Sequence, residues 1–369
     1  MSGRISRREF LKLSSAIVGG AVLGGFEALA GEKIPEPEAH GNIALRTLGR
    51  TKLKVTEVSF GGIQIQDPKL LEAAIDKGIN LIHTSPGYGR GRSIRIFGEV
   101  MKGRRKKVYL ALKKSPINGI DEELKILNTD YVDILVPPLH SVEAMNDPRL
   151  PEAFEKLKRE GKIRFSGFSC HKNIVEVMNR AIEPGFFDVM LIAYNLANRD
   201  RLDPVLERAK KEQNMGFMVM KAMRGLKGKK PEVVSAGLKK LLQNKNVDTL
   251  LIGTSNLQEL ERNIAVAGKR LTKSETGLLE RYVTPTLASL CIMCGKCSRA
   301  CPHGVEVADI MRCGDYLDRG ELELAREEYR SIPISSTASN CKECGRCESV
   351  CPQNINIRER IREYHYILA

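Results

Sequence analysis

Near the C-terminus the spacing Cys-x2-Cys-x2-Cys-x3-Cys-Pro occurs twice. It places Cys291, Cys294, Cys297 and Cys301 before Pro302, and Cys341, Cys344, Cys347 and Cys351 before Pro352. Most of the chain's 10 cysteines thus fall in two copies of one pattern. Three thiolates at two-residue gaps on one loop wrap a compact cube of iron and sulfide. The same crowding makes poor bridge geometry, so disulfides fit badly, although an exported chain would permit them. Zinc takes paired Cys-x2-Cys units, without a third cysteine in register and a trailing proline. Between the runs, 305–313 and 321–330 have helical spacing, with a break at Gly320. A small, mainly helical domain holding two [4Fe-4S] clusters is the expectation. Cys170 and Cys313 stand outside the pattern and read as small buried apolar residues.

The paired runs resemble the bacterial two-cluster ferredoxins, in which the fourth cysteine of each run serves the other cluster. That resemblance implies Cys291, Cys294, Cys297 and Cys351 around one cluster, and Cys341, Cys344, Cys347 and Cys301 around the second. His303, just after Cys301-Pro302, is placed to tune or solvate a cluster rather than to bind metal.

Upstream of the cysteines the pattern is regular. Short apolar runs at 58–60, 80–84, 108–113, 132–136, 163–169, 189–195, 216–221 and 247–253 alternate with helical patterns. The helical segments include 69–77, 151–159, 174–181, 204–211, 232–242 and 257–267; in the first, Leu70, Leu71, Ala74 and Ile75 share one face. Strands alternating with helices imply a parallel sheet with helical crossovers. Eight such units predict an α/β fold, a closed (β/α)8 TIM barrel over 43–285, followed by the cluster domain over 286–369. An open doubly wound sheet would want Gly-x-Gly-x-x-Gly after its first strand, which Gly61-Gly62-Ile63 does not complete. Residues 44–55 read as a hairpin turning at Gly49-Arg50.

Residues 1–30 read as an address. Arg7-Arg8 precede Phe10-Leu11, a weakly apolar, glycine-rich stretch runs to Phe26, and Ala28-Leu29-Ala30 has the small-x-small form of a cleavage site. The segment resembles the twin-arginine signal, whose Tat export machinery carries chains already folded. Residues 31–42, with Pro35 and Pro37, suit a linker. The expected location is periplasmic or otherwise extracytoplasmic, membrane-anchored only if the signal stays uncleaved; no stable span is expected after cleavage. A net charge of +14 invites a nucleic-acid reading, but the 59 Lys and Arg are dispersed, and the densest run, 102–107, suits a solvated loop. No nucleic-acid partner is expected.

The barrel resembles the aldo/keto reductases, in particular the group with a C-terminal ferredoxin module. The resemblance is carried by the order and spacing of the segment from Arg46 to Val55, Pro86-Gly-Tyr-Gly89, 152–164, Gly167-Phe-Ser169, Tyr194-Asn195, Val219-Met-Lys221 and 252–264. It implies an acid–base site at the C-terminal mouth of the barrel: a tyrosine giving a proton to a carbonyl, a lysine lowering its pKa, an aspartate holding the lysine, and a histidine orienting the substrate. Tyr88 matches the tyrosine and Lys113 the lysine. His83 stands where the aspartate belongs, and His140 lies two residues late, behind Pro137-Pro138. Ser169, Asn195, Gly253 and Thr254 match positions that contact a nicotinamide cofactor. Leu191, Met220 and Glu259 replace a glutamine, a stacking tyrosine and a phosphate-binding arginine.

These departures shape the expected function. Lys113 without its carboxylate is a weaker cation, so it lowers the pKa of Tyr88 less. Histidine titrates near neutral pH, so His83 is a candidate to take over proton donation. His140 is the better candidate because it is read as ending a barrel strand, and His171 is a weaker third. Free nicotinamides are cytoplasmic, whereas this chain carries an export signal. The leading expectation is therefore an exported iron–sulfur oxidoreductase. It would exchange electrons between a small substrate in the barrel mouth and an external electron-transfer partner through two 4Fe-4S clusters. Two other readings stand beside it: an NAD(P)H-dependent aldo/keto reductase acting on a carbonyl, and a non-catalytic electron-transfer protein whose barrel is a docking scaffold.

Overall fold

The computed structural model describes residues 41–183 and 185–369. The export signal and most of the linker expected from the sequence lie outside the described residues. The first elements are an antiparallel pair, β1 (Leu45–Thr47) and β2 (Lys54–Thr56). Eight parallel strands follow: β3 (Val58–Gly61), β4 (Leu81–Thr84), β5 (Tyr109–Leu112), β6 (Val132–Leu135), β7 (Ile163–Cys170), β8 (Val189–Ala193), β9 (Gly216–Met220) and β10 (Thr249–Ile252). They pair in chain order, and β10 closes on β3. The main helix after each is, in order, α1 (Pro68–Asp76), α2 (Arg92–Arg104), α3 (Asp121–Leu127), α4 (Arg149–Arg159), α5 (Ile174–Ile182), α6 (Arg199–Gln213), α7 (Pro231–Leu242) and α8 (Leu257–Ile264), with one further short turn of helix, Val142–Met145, ahead of α4. The α6 helix starts five residues before the pattern suggested and carries Pro204 inside it. The carbonyl that Pro204 cannot bond belongs to exposed Asp200.

The β1–β2 hairpin plugs the N-terminal end of the barrel. Leu48, Leu53 and Val55 pack with Leu81, Tyr109, Ile134, Val189, Leu191 and Met218 in one buried cluster. Gly49 takes φ +48°, and a Cβ there would lie 2.2 Å from the Gly216 nitrogen, so only glycine lets the hairpin approach β9 this closely. Two arginines fasten the plug. Arg46 donates to the carbonyls of Leu242, Asn244 and Val247 at the end of α7, and pairs with Glu57 at 2.6 Å. Arg50 donates to the carbonyls of Gly185 and Phe187 and to Asp188.

After α9 (Lys273–Tyr282), capped by the Thr272–Glu275 box, the chain enters a second core. It is built from α10 (Val307–Leu317), α11 (Leu322–Arg330) and α12 (Ile357–Leu368). Ile310, Tyr316, Ala325, Tyr329, Ile361, Tyr364 and Leu368 are buried there, with Cys297, Cys313 and Cys347. Gly320, at φ +75°, breaks the chain between α10 and α11.

This helical domain sits across the C-terminal mouth of the barrel. Lys172, just after β7, donates to Glu306 (2.9 Å) and Asp309 (2.6 Å). Past β9, Arg224 pairs with Asp315 at 3.3 Å and Lys227 with Glu321 at 2.6 Å. Past β4, the Arg90 backbone N–H donates to Glu327. No helix among the described residues is long and apolar enough to cross a membrane.

Candidate active site and cluster cavities

A cavity of about 240 Å³ lies under this lid. Barrel residues His83, Tyr88, Lys113, His171, Met220 and Lys221 line it from one side, and Tyr316, Arg319, Glu321 and Glu328 of the helical domain from the other. Active sites of (β/α)8 barrels form at this end because the strand-to-helix loops converge there.

The structure brings His83, Tyr88 and Lys113 together. His83 is on β4, Tyr88 on the turn after it, and Lys113 just past β5, its N–H bonded to the Thr84 carbonyl at 2.9 Å. The Lys113 Nζ stands 4.6 Å from the centroid of the Tyr88 ring, a cation–π contact. No hydrogen bond joins it to the Tyr88 hydroxyl among the described residues. Burial pushes the Tyr88 phenol upward, and the Glu328 carboxylate adds to the rise. Burial lowers the Lys113 amine, while Glu328 opposes that fall. Glu328 therefore supplies the carboxylate charge that the barrel lacks at position 83. Burial holds the Glu328 carboxyl up, but its hydrogen-bonded partner Arg312 more than offsets this, leaving it below the ordinary range.

His83 does not titrate near neutral pH. Burial drives it down to about 3, with Lys113 adding to the effect, and it is neutral at physiological pH. Its Nε2 is buried without a hydrogen-bond partner among the described residues. His140 lies five residues beyond β6, not at the end of the strand, although the chain stays bonded to Ser169 of β7 through Pro137 and Leu139. It backs the wall: its Nδ1 accepts the His171 N–H at 3.3 Å, and burial lowers it to about 4. Of these two, His171 lines the cavity; burial, then His140, holds it well below its usual value.

Of the four positions matched to cofactor contacts, Gly253 lines the cavity, next to Ser255, Glu259, Arg262 and Asn263. Ser169, Asn195 and Thr254 are buried in the wall behind it. Asn195 accepts the Ala197 N–H at 3.1 Å, and Thr254 lies 3.5 Å from Asn263. Glu259 folds back to accept the Ser255 N–H at 2.9 Å. Leu191 is fully buried inside the barrel, and Met220 faces the cavity.

Sequence reasoning missed Lys221, Tyr316, Arg312, Arg319 and Glu328. Lys221 hydrogen-bonds the Tyr316 hydroxyl and lies 3.8 Å from its ring centroid. Its φ of +62° is left-handed, which is uncommon for a side-chain-bearing residue at a strand end. One signal was available: Arg312, Tyr316 and Arg319 repeat at helical spacing, a charged stripe on a helix that needs its other face for the core.

The cysteines surround two further cavities. The first is lined by Cys291, Cys294, Cys297 and Cys351 with Ala308, Met311 and Ile357. The second is lined by Cys301, Cys341, Cys344 and Cys347 with His303, Val307 and Ile361. Each cavity takes three cysteines from one run and the fourth from the other. The loops repeat: Met293 and Glu343 have φ of +53° and +51°, and Gly295 and Gly345 both have +75°. The Glu343 N–H lies 3.4 Å from the Cys341 sulfur, the kind of donor that supports a thiolate. All ten cysteines are free, and no three His, Cys, Asp or Glu among the described residues converge on a single ion. Four sulfurs around a shared space fit a cluster better than one ion. Burial raises the Cys297 thiol to about 12 and Cys347 to about 11, so cluster binding must release protons. The first site lies near the barrel: Cys291 is close enough for Arg224 to lower its thiol against burial. The second includes exposed Cys344.

Comparison with known proteins agrees with both halves. The aldo/keto reductase family model matches residues 64–233, and a 4Fe-4S dicluster domain model matches 287–355. The chain carries an aldo/keto reductase domain. A 4Fe-4S dicluster domain follows it, and the protein is an oxidoreductase. Its relatives include YqkF, an uncharacterised oxidoreductase of Bacillus subtilis, 26% identical over 293 residues, covering 64% of this chain and 95% of YqkF. L-galactose dehydrogenase of Arabidopsis thaliana is 29% identical over 281 residues, covering 60% of this chain and 88% of that protein. An aldo/keto reductase from Klebsiella pneumoniae, solved with NADP and acetate, shares the fold at 20% identity and a TM-score of 0.55, over 65% of this chain and 96% of its own.

Proposed function

We propose that this chain is an exported iron–sulfur oxidoreductase that exchanges electrons between a small substrate in the barrel mouth and an external one-electron carrier. The observation that carries the reading is the placement of α10. Its Ala308 and Met311 line the first cysteine cavity, and its Tyr316 lines the substrate cavity. One helix thus separates the reaction space from the cluster site nearest the barrel, while the second site, with exposed Cys344, faces outward. When bound, the two clusters supply one-electron redox centres. The protein's own groups do the rest. Lys113 and Lys221 favour developing negative charge on a substrate oxygen, Tyr88 and Tyr316 offer protons, and the docked helical domain excludes water. Export by the twin-arginine route belongs to this reading, because it places the protein away from free nicotinamides and carries chains whose cofactors are already loaded.

A second reading, NAD(P)H-dependent carbonyl reduction, has one observation in its favour. The cavity continues past Gly253 to Lys227, Lys229 and Arg262, a basic end suited to a phosphorylated cofactor such as the NADP of the Klebsiella protein. Against it stand Glu259, Met220 and the Lys227–Glu321 pair.

Anaerobic titration of the cluster-loaded protein with NADPH, then NADH, separates the two. The expected result is no bleaching of the cluster absorbance with either and full bleaching with dithionite. Bleaching at stoichiometric NADPH would overturn the first reading in favour of the second.

A further inference from the structure

The proton donor of a reductase built on this barrel would be sought at Tyr88, with Lys113 beside it. Such a pair works when the amine sits on the phenol oxygen, where its charge stabilises the phenolate. Lys113 instead faces the Tyr88 ring. The geometry that the chemistry needs occurs elsewhere in the same cavity, where Lys221 Nζ is bonded to the Tyr316 hydroxyl. Lys221 closes β9 from the barrel side; Tyr316 comes from α10, which belongs to the helical domain. Both line the cavity. The left-handed backbone at Lys221 is a local cost that a functional position tolerates.

We propose that Tyr316, held by Lys221, is the group that exchanges a proton with the substrate oxygen, so that the active site is assembled from both domains. The proposal rests on the reading of the barrel mouth as the reaction site and specifies its substrates as carbonyl–hydroxyl pairs. In the reducing direction the phenol O–H bond breaks and its proton forms a new O–H bond on the substrate. The Lys221 ammonium returns a proton to the phenolate and is itself recharged from water. Two electrons from the external carrier and one proton from water complete the change at carbon. In the oxidising direction each transfer reverses.

The charges around the pair suit this exchange. Tyr316 is faced by Lys221, by Glu328 of α11, by Arg312 of its own helix, by Arg319 in the turn after it, and by Tyr88. Lys221 is faced by Arg319, Asp315, Arg312 and Glu328. Burial raises the phenol and lowers the amine, so the phenol oxygen holds its proton more tightly than the amine does, and an ammonium at Lys221 gives its proton to a Tyr316 phenolate downhill.

The test uses the full, cluster-loaded chain under anaerobic conditions, with pyridine-3-carboxaldehyde as carbonyl probe and reduced methyl viologen, or separately NADPH, as donor. Tyr316→Phe keeps the ring and removes the hydroxyl. Its kcat is expected to fall about 10²- to 10⁴-fold with KM and cluster absorbance little changed, and the basic limb of the pH profile should disappear. Tyr88→Phe is expected to lower kcat by a smaller factor. Turnover by Tyr316→Phe within about threefold of wild type, or a larger loss in Tyr88→Phe, overturns the proposal. Turnover with NADPH alone would remove the electron-exchange reading yet still test Tyr316 in the same reaction. If neither donor supports turnover, a second measurement decides. Carbamylation of Lys221 by cyanate, followed by peptide mass spectrometry against pH, should give a midpoint below that of exposed Lys69 and shifted by Tyr316→Phe. A Lys221 that titrates with Lys69 and ignores Tyr316→Phe overturns the proposal.

Discussion

Replacing Gly314 with alanine tests the packing on which the whole mouth depends. A Cβ at this position of α10 would lie 2.0 Å from Tyr364 Cε2 and 2.3 Å from its Cδ2 and Cζ, where ordinary contact begins at 3.4 Å. The ring would have to retreat by the difference, about 1.4 Å. It is poorly placed to do so: Tyr364 is 4% exposed, and its hydroxyl donates to Asp318 at 2.8 Å. Overpacking of this kind costs about 1–3 kcal/mol. Losing a hydrogen bond to a carboxylate costs about 1.5–3 kcal/mol more. Alanine returns about 1 kcal/mol of helix propensity. The net expectation is a destabilisation of roughly 2–5 kcal/mol, with early loss of the clusters, because α10 and α12 line both cysteine cavities. Denaturant unfolding followed by far-ultraviolet circular dichroism and by cluster absorbance measures it. Gly277→Ala is the control. That glycine lies within α9 with nothing inside 4 Å of an added Cβ, so it should gain up to about 1 kcal/mol. A Gly314→Ala protein within about 0.5 kcal/mol of wild type would refute the close approach of α10 to Tyr364.

Two further outcomes follow from the same geometry. Cys351→Ser should lower iron from about eight atoms per chain to about four, and adding Cys291→Ser should remove no more, whereas adding Cys344→Ser should remove the rest; equal losses from both double variants would refute the crossed ligand sets. Stability should fall on acidification. His83 at about 3 and His140 at about 4 lie below the ordinary histidine value of 6.5, so the unfolded chain takes up protons first. Their contribution is complete above pH 6.5 and is lost as pH falls toward 4 and then 3; the depressed Glu328 carboxyl adds its loss below its ordinary 4.5. Melting temperatures measured across this range should show the slope, and His83→Asn should flatten it. A flat wild-type profile would count against buried neutral histidines.

The barrel was legible because its signals are local. Each strand is a short apolar run, each crossover an apolar stripe such as Leu70, Leu71, Ala74 and Ile75, and all four of these residues are buried in α1. The cysteine spacing carried its own geometry, and the cavities divide the two runs as the ferredoxin resemblance implied. The lid over the mouth was not legible. Lys172, Arg224 and Lys227 meet Glu306, Asp309, Asp315 and Glu321 across it, and along the chain such residues look like solvated surface. The protonation state of His83 was hidden too, because burial rather than residue type sets it. His140 and His171 exchange rank because β6 ends at Leu135, a boundary that two following prolines blur.

The charges at the mouth argue that the helical domain and the barrel form one site. The barrel has histidine at position 83, where its relatives' pattern asks for a carboxylate, and on its own it would leave Lys113 without an opposite charge. Glu328 restores that charge from the other domain, acting on Lys113, Lys221 and both cavity tyrosines. Arg312 holds Glu328 ionised, and Asp309, which pairs with Arg312 at 3.5 Å, is also the acceptor that docks Lys172. The residues that fasten the lid and those that set the charge of the site are therefore one connected network. Weakening the dock at Lys172 should disturb the cavity as well as the interface, because moving α10 carries Arg312 and Tyr316 with it. A barrel that gave up its own carboxylate needs the lid closed before its lysines are correctly charged. That makes the fold of the cluster domain a condition for chemistry in the barrel.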